Sequence, residues 1–525
     1  MSSAKMLFVR ESSGLVKPLA AFGAFIFTFS TLFHPWFWTL LAQMPNLFPG
    51  MSLLPAILIG GTLQLLNYGI GSAMLIVTMP RAGANYVTIS RSVHPLLGGI
   101  EGYRTIIWNT ISAGVSAYFG GMSIGLFLVQ AGIFLENAEL TAMGSTIGAT
   151  PIYAALIGVL FILVAFALDW TGLKYLKVLM IVNAIVSITV VVLMVVGFLS
   201  VTPSTIPAAW DGAFGSGAYN EVVAVSNTHG YDPAAFNFNW TSTASSFLLI
   251  SIFLVLGGTY TIAGEVENPK KNILLGVTIS GILMIVILSI VGYTMMNSCG
   301  ELLTRYNFIY FAGAGGDLLI NPVVLPSTHF YGGALLGYPM LAAFMCVPII
   351  LSSLNFMATN FYWTTRPMFA MAMDRLLPEA FTKVSPKYHT PSNAILFALA
   401  MSLIALTLSI FIPYILLFSA TMFGMMLYFL FAISQVALPL TRPEIYAKGY
   451  TWSIMGFPLL SGLGLWNTGW VLYMMWASAA GLDTITLIIS AAFVSIGMGL
   501  TAVAMNYRQS QGIDLRKLFG TVPPE

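Results

Sequence analysis

The chain has 525 residues, of which 58% are hydrophobic and only 7% charged; its net charge is +2 and its mean hydropathy +0.88. Soluble domains carry roughly 25% charged residues, and no soluble fold of this length hides so much apolar surface, so the composition excludes a soluble protein and points to one that crosses a membrane many times. The net charge says little about partners, and no basic patch interleaved with aromatics points to a nucleic-acid binder.

A bilayer core of about 30 Å takes roughly 20 apolar residues per helix. Runs of that kind predict an all-α polytopic protein with twelve spans, at 18–43, 51–79, 96–134, 151–169, 177–200, 244–267, 272–297, 336–366, 392–411, 414–440, 453–477 and 482–505. The first run is longer than a signal-peptide core and lacks a small-residue cleavage pattern, so it reads as a span. The third is too long for one simple crossing. The ninth and tenth divide near residues 411–413. Cys299 and Cys346 lie in or beside apolar runs and predict two free thiols. Trp36, Trp38 and Trp170 fall near predicted helix ends, as interfacial aromatics do.

Charge then orients the chain. Lys5, Arg10 and Lys17 precede the first span; Arg81 and Arg91 follow the second; Lys174 and Lys177 the fourth; Lys270 and Lys271 the sixth. Arg366, Arg375, Lys383 and Lys387 follow the eighth, Arg442 and Lys448 the tenth, and Arg508, Arg516 and Lys517 the last. All share one side of a twelve-span arrangement, with Arg305 opposite, so a multi-pass cell-membrane protein with both termini cytoplasmic is expected. The opposite side carries the long loop 201–243, free of Lys and Arg, where Asn239-Trp240-Thr241 is either a glycosylation sequon or a chance match.

Three stretches carry a resemblance. "MPRAGANYVTISRSVHPLLGGIEGY" (79–103) contains Pro-Arg-x-Gly-x-x-Tyr-x-x-x-Ser-Arg. "AGEVENPKKNI" (263–273) contains Glu-x-x-Asn-Pro-x-x-x-Ile. "TRPMFAMAMDRLLPEAFTKVSPKYHTPSNAI" (365–395) contains Ala-Met-Ala-x-Asp-x-x-Leu-Pro and Thr-Pro-x-Asn-Ala. In that order, after the second, sixth and eighth spans, they resemble amino acid permeases of the amino acid–polyamine–organocation (APC) superfamily, over residues 10–440. The resemblance implies a 5+5 inverted-repeat core with discontinuous first and sixth helices, plus two additional helices. It divides the chain into a cytoplasmic segment at 1–17, the ten-helix core at 18–440, two further helices at 441–505 and a cytoplasmic tail at 506–525.

It also implies a site. Gly257 and Gly258 would let the sixth helix unwind at mid-membrane, with Leu256, Thr259 and Tyr260 beside them, where freed backbone groups are tolerated only against protein or a watery cavity. The alternative is that the two glycines only permit close helix packing. The partner break falls on Thr28, Phe29, Ser30 and Thr31 of "FGAFIFTFSTLFHPWFW", where relatives carry a Gly-Ser-Gly-like sequence and this chain has no glycine. Pro35 lacks an N–H and crowds the Thr31 carbonyl, which would open the helix between Thr28 and Pro35 or merely kink it. Trp108, Asn109 and Ser112 of the third span are candidate cavity residues.

The candidates for coupling and gating are His34, Glu101, Arg104, Glu265, Ser352 and Ser353. His34, the histidine expected within the bilayer, is a titrating group or an outer packing residue. Glu101 and Arg104 pair, snorkel or gate. Glu265 holds the end of the sixth helix or relays protons. Some proton-coupled relatives place a lysine in the middle of the fifth helix; here the region reads "NAIVSIT", with Asn183 and Ser187. A sodium ion would need Thr31, Ser352 and Ser353, whose hydroxyls otherwise bond within their own helices. The expected function is transport of an amino acid or related amine by alternating access, with protons as a candidate coupling ion, no cofactor, no further metal site and no covalent chemistry. A transporter-like sensor without flux is the competing reading. No HExxH, His-x-x-x-x-Asp or paired intramembrane aspartates support an intramembrane hydrolase.

Overall fold

The computed structural model describes residues 8–318, 324–411, 420–479 and 484–524. The chain is a bundle of long helices. The first predicted span forms two: α1 (Ala21–Thr31) and α2 (Pro35–Leu47), bent by 44°. Then come α3 (Leu53–Ile76), α4 (Ala84–Ser92), α5 (Pro95–Phe134), α6 (Ala138–Ala149), α7 (Pro151–Thr171) and α8 (Leu173–Leu199). The long loop folds into α9 (Ile206–Phe214) and α10 (Ala218–Thr228), stapled by Asp211, whose carboxylate accepts the Tyr219 and Gly217 N–H groups at 2.8 and 3.0 Å. These two donors hold that carboxyl below the usual aspartate range.

Next follow α11 (Trp240–Phe253), α12 (Pro269–Phe311), α13 (Thr328–Leu336), α14 (Pro339–Phe344) and α15 (Val347–Met373). The chain closes with α16 (Ser392–Phe411), α17 (Ala420–Thr441), α18 (Leu459–Ala479), α19 (Thr484–Ser510) and the short α20 (Leu515–Gly520). Helix is therefore present in each of the twelve predicted stretches. Among the described residues, eight helices are long and apolar enough to cross a membrane, or nine if the bent pair α1–α2 is one span. The division near residues 411–413 and the first residues of the last stretch lie partly outside the described residues, as does Lys5.

Several starts follow from local chemistry. Proline opens α2, α5, α7, α12 and α14, where its missing N–H costs nothing. Apolar side chains such as Leu156, Leu160, Val178, Ile185, Ile282 and Val286 stay exposed along α7, α8 and α12, which marks a lipid-facing surface. Cys299 and Cys346 are free and buried.

The third span is one 40-residue helix, α5, longer than a simple crossing needs, as its run length implies. Three expectations are corrected. The sixth is helical only to Phe253; beyond it lie irregular backbone and a single 3₁₀ turn, Ala263–Glu265, so no second α-helical half exists. The eighth continues to Met373, which takes Arg366 out of the following loop and into a helix. Trp38 is 2% exposed and belongs to the core, not to an interfacial belt.

Candidate functional site

The two helix breaks meet. α1 ends at Thr31, and Leu32 and Phe33 donate to the Phe29 and Ser30 carbonyls in tight i→i−3 turns. The chain then turns through His34 into α2. His34 Nδ1 accepts the Trp36 N–H at 3.3 Å, so the imidazole is an N-cap, and its ring packs 4.2 Å from Phe356 and 5.9 Å from Phe253. His94 caps α5 in the same way before Pro95, accepting from Leu96 at 3.2 Å. A capping residue is worth about 1 kcal/mol. We therefore expect His34→Leu to lower thermal stability by about that amount, and His34→Asn to retain most of it, as read by melting of the purified protein. The structure also buries His329, against Trp38.

Opposite α1, the segment 254–262 is irregular. Gly258 needs its bareness: a Cβ there would sit 3.0 Å from Thr28 Cα, 3.0 Å from Thr31 Oγ1 and 3.2 Å from the Phe27 carbonyl oxygen. A Cβ on Gly257 would fall 2.0 Å from the Tyr68 hydroxyl oxygen. The glycines thus bring this segment against α1, and Thr28 and Thr259 face each other with their hydroxyls 3.5 Å apart. Trp363 of α15 donates to the Gly258 carbonyl at 3.1 Å. Tyr260 donates towards the Tyr68 and Gly69 carbonyls at 2.6 and 2.7 Å. Both lie in a π-helical turn of α3, Leu65–Gly71, where the wider winding breaks the usual i→i−4 ladder. Thr28, Phe29, Ser30, Thr31, Leu256, Gly257, Gly258, Thr259 and Tyr260 are all buried.

A polar girdle supports α1 from α8 and α15. Asn183 Nδ2 donates to the Ser30 hydroxyl and carbonyl at 3.1 and 3.3 Å, and its Oδ1 accepts from Ser352 at 3.0 Å. Asn355 Nδ2 donates to the same Ser30 carbonyl at 3.2 Å, while its buried Oδ1 has no hydrogen-bond partner. The three hydroxyls considered for sodium point to separate partners: Thr31 to the Thr28 carbonyl at 2.7 Å, Ser352 to Asn183, and Ser353 to the Ile349 carbonyl at 2.8 Å.

Trp108, Asn109 and Ser112 lie on α5, Asn109 buried and the other two half-buried. The bonds described above that hold the breaks come from α3, α8 and α15. Glu101 and Arg104 form a buried bidentate pair within α5, with both contacts at 2.6 Å and Thr105 donating to the carboxylate.

One end of the bundle is closed by charge and by backbone. Arg366, fully buried, reaches Asp169 of α7 at 2.6 Å and Glu265 at 2.8 Å, and lies 4.0 Å over the Tyr362 ring. Two backbone bonds strap Leu19, just before α1, to the end of the irregular segment: Leu19 N–H donates to the Glu265 carbonyl, and Glu267 N–H to the Leu19 carbonyl. Gly83, at φ +65, donates to the Thr261 carbonyl at 2.7 Å and wedges the loop before α4 against Arg366 and Pro367. Arg91 and Tyr86 clamp Asp374 beside it, with contacts of 2.6–2.8 Å. Of the carboxylate partners, only Glu265 stands out from the sequence. Asp169 falls at the last residue of a predicted span, Arg366 reads there as a charge following one, and Asn183 stands out only as a polar residue within the fifth span.

The sequence profile of the family described as "Amino acid permease" matches residues 19–508. The chain is 24% identical over 408 residues, 75% of its own length and 76% of the relative's, to the branched-chain amino acid permease BcaP of Bacillus subtilis (strain 168). It is an amino acid transporter of the membrane, and it belongs to the amino acid permease family of the APC superfamily.

Proposed function

We propose that the protein carries a neutral, aliphatic amino acid across the cell membrane by alternating access. The observation that supports this most is the meeting of two helix breaks, with Gly258 against Thr28. It fits twelve spans in which α1–α2 and the α11 segment open two inverted five-helix repeats, followed by α18 and α19. Backbone N–H groups of Gly257 to Thr259 and the positive end of α2 would take the carboxylate. The unpartnered Asn355 Oδ1 and the threonine hydroxyls would take the ammonium. Neither break contains Asp, Glu, Lys or Arg, so a substrate with a net charge would go unpaired in a dry site, which is costly. The aromatic surroundings, Phe29, Phe253, Phe356 and Trp363, suit an apolar side chain, and the Bacillus relative is named for branched-chain substrates. Uptake of labelled amino acids into proteoliposomes tests this. Leucine, isoleucine or valine should enter, and lysine and glutamate should not. Binding without entry would favour a sensor, and uptake of lysine or glutamate alone would overturn the selectivity.

Coupling follows from the girdle. Asn183 ties Ser30 to Ser352 with a neutral amide where a lysine or a bound cation would otherwise draw α1 and α15 together. We expect uptake to persist when sodium is replaced by choline, driven by a proton gradient or by exchange. Loss of uptake in choline, restored by sodium, would show the opposite.

The segregated loop charges support cytoplasmic termini, even with Arg366 inside a helix. A cysteine at Ser12 should react only from the cytoplasmic side and one at Gly230 only from outside. The native thiols are buried and give little background.

A further inference from the structure

A groove of about 740 Å³ lies at the Arg366 end of the bundle, away from the breaks. Its walls are residues 77–81, which follow α3, Asn268 with the first residues of α12, the loop carrying Lys448 and Tyr450, and Val522 of the tail. Arg81, Lys270, Lys271 and Lys448 line it, and none of its described lining residues is Asp or Glu. The three lysines, Lys270, Lys271 and Lys448, repel one another across the hollow, and an anion between them would relieve that repulsion.

The groove is held in shape by its neighbours. Tyr450 donates to the Lys270 carbonyl at 2.9 Å, and the Lys270 ammonium lies 5.0 Å from the Tyr450 ring centre. Gly449 presses on Thr78, where a Cβ would come within 2.6 Å of its methyl. Arg81 is fixed by donating to the Pro523 carbonyl at 2.6 Å.

The N-terminus of α12 supplies a further field. This 43-residue helix starts at Pro269, and its N-cap Asn268 sits in the left-handed region, at φ 43, without a side-chain cap bond. Residues 268–271 line the groove, so the positive end of this long helix lies at its wall, although the Lys271 and Asn272 N–H groups already donate to the Asn268 carbonyl. From Lys271 onward, exposed Leu275, Ile279, Ile282 and Val286 continue along α12 at spacings of three and four residues. A cationic hollow thus leads directly into an apolar, lipid-facing stripe.

We propose that this groove binds the phosphate group of an anionic phospholipid, with an acyl chain along the α12 stripe. Basic pockets at the membrane surface recognise such headgroups, and each lysine there contributes about fivefold in affinity. The inference is independent of which amino acid is transported. It places a lipid between the transport core and the loop and tail that pack against it.

The test uses the full chain purified in a neutral detergent. Three ligands are titrated by native mass spectrometry: dihexanoyl phosphatidylglycerol, dihexanoyl phosphatidylcholine and inorganic phosphate. The glycerol lipid should bind more tightly than the choline lipid. The double substitution Lys270→Gln with Lys448→Gln should weaken its binding about 25-fold. The pair Lys383→Gln with Lys387→Gln, outside the groove, should leave it unchanged. Equal binding of the two lipids, or an equal loss in the control pair, would overturn the site. Inorganic phosphate binding as tightly as the glycerol lipid, with the same loss in the groove variant, would overturn the lipid as its source. All four substitutions are on exposed or half-exposed side chains, so melting temperatures should match wild type, and a variant that melts lower is replaced by Lys270→Arg with Lys448→Arg, which should bind.

Discussion

Gly258→Leu should abolish uptake while leaving a folded, monodisperse protein. The bare Gly258 lies against backbone: Thr28 Cα at 3.0 Å and the Phe27 carbonyl oxygen at 3.2 Å from the place a Cβ would occupy. A single methyl would require a shift of a few tenths of an ångström. A leucine adds three more carbons, and α1 cannot yield to them cheaply, because its carbonyl at Ser30 is held by Asn183 and Asn355. Overpacking of this kind costs about 1–3 kcal/mol. If that strain falls on the conformation in which the two breaks meet, affinity drops roughly 5- to 150-fold. Gly258→Ala should lose much less. Gly257→Val should behave like Gly258→Leu for a different reason, because its Cβ would overlap the Tyr68 hydroxyl, at 2.0 Å. Substrate binding by scintillation proximity, alongside size-exclusion chromatography and melting, separates the two effects. Near wild-type affinity in Gly258→Leu would mean that the glycines serve only to pack helices and that the substrate binds elsewhere.

What could be read from the sequence divides along a physical line. Hydropathy located helix in every predicted stretch, because burying twenty apolar residues in lipid is a local property. The glycine pair located the break after α11, and Pro35 the break after α1, because both act on their own backbone. Tertiary partners were not legible. The eighth apolar run ends at 366, with Arg366 counted among the loop charges that follow it. α15 nevertheless runs on to Met373, because Asp169 and Glu265 neutralise Arg366 where the helix would otherwise have to release it to water. The π-helical turn of α3 likewise depends on a distant partner, the Tyr260 hydroxyl, which donates to the Tyr68 and Gly69 carbonyls. The same holds for Asn183, whose role depends on which faces of α1 and α15 meet it. His34 was legible as a special residue but not as a cap, because its bond to Trp36 depends on α2 starting one residue later.

Arg366→Gln should be the most destabilising single substitution, by about 3–5 kcal/mol, because it leaves Asp169 and Glu265 as buried carboxylates without their cation. The guanidinium is fully buried and makes contacts of 2.6 and 2.8 Å to the two acids. Neutralising all three, with Asp169→Asn and Glu265→Gln added, should recover much of that loss, since what costs most is the unpaired charge. The cluster also joins three elements that alternating access would have to separate: α7 through Asp169, the end of the irregular segment through Glu265, and α15 through Arg366. Glu265→Gln leaves the Arg366–Asp169 contact in place and removes only the charge-assisted bonds across the irregular segment. Hydrogen bonds to charged groups contribute about 1.5–3 kcal/mol, so that change should favour the state open at this end by roughly 10- to 150-fold. A cysteine at Ala82, which is 8% exposed and lines the closed hollow with Gly264 and Pro523, reports the opening. Its reaction with a membrane-impermeant thiol reagent added from the cytoplasmic side should accelerate by about that factor in Glu265→Gln, with little change in melting temperature. An unchanged rate would make the cluster a structural support, with no part in the gate.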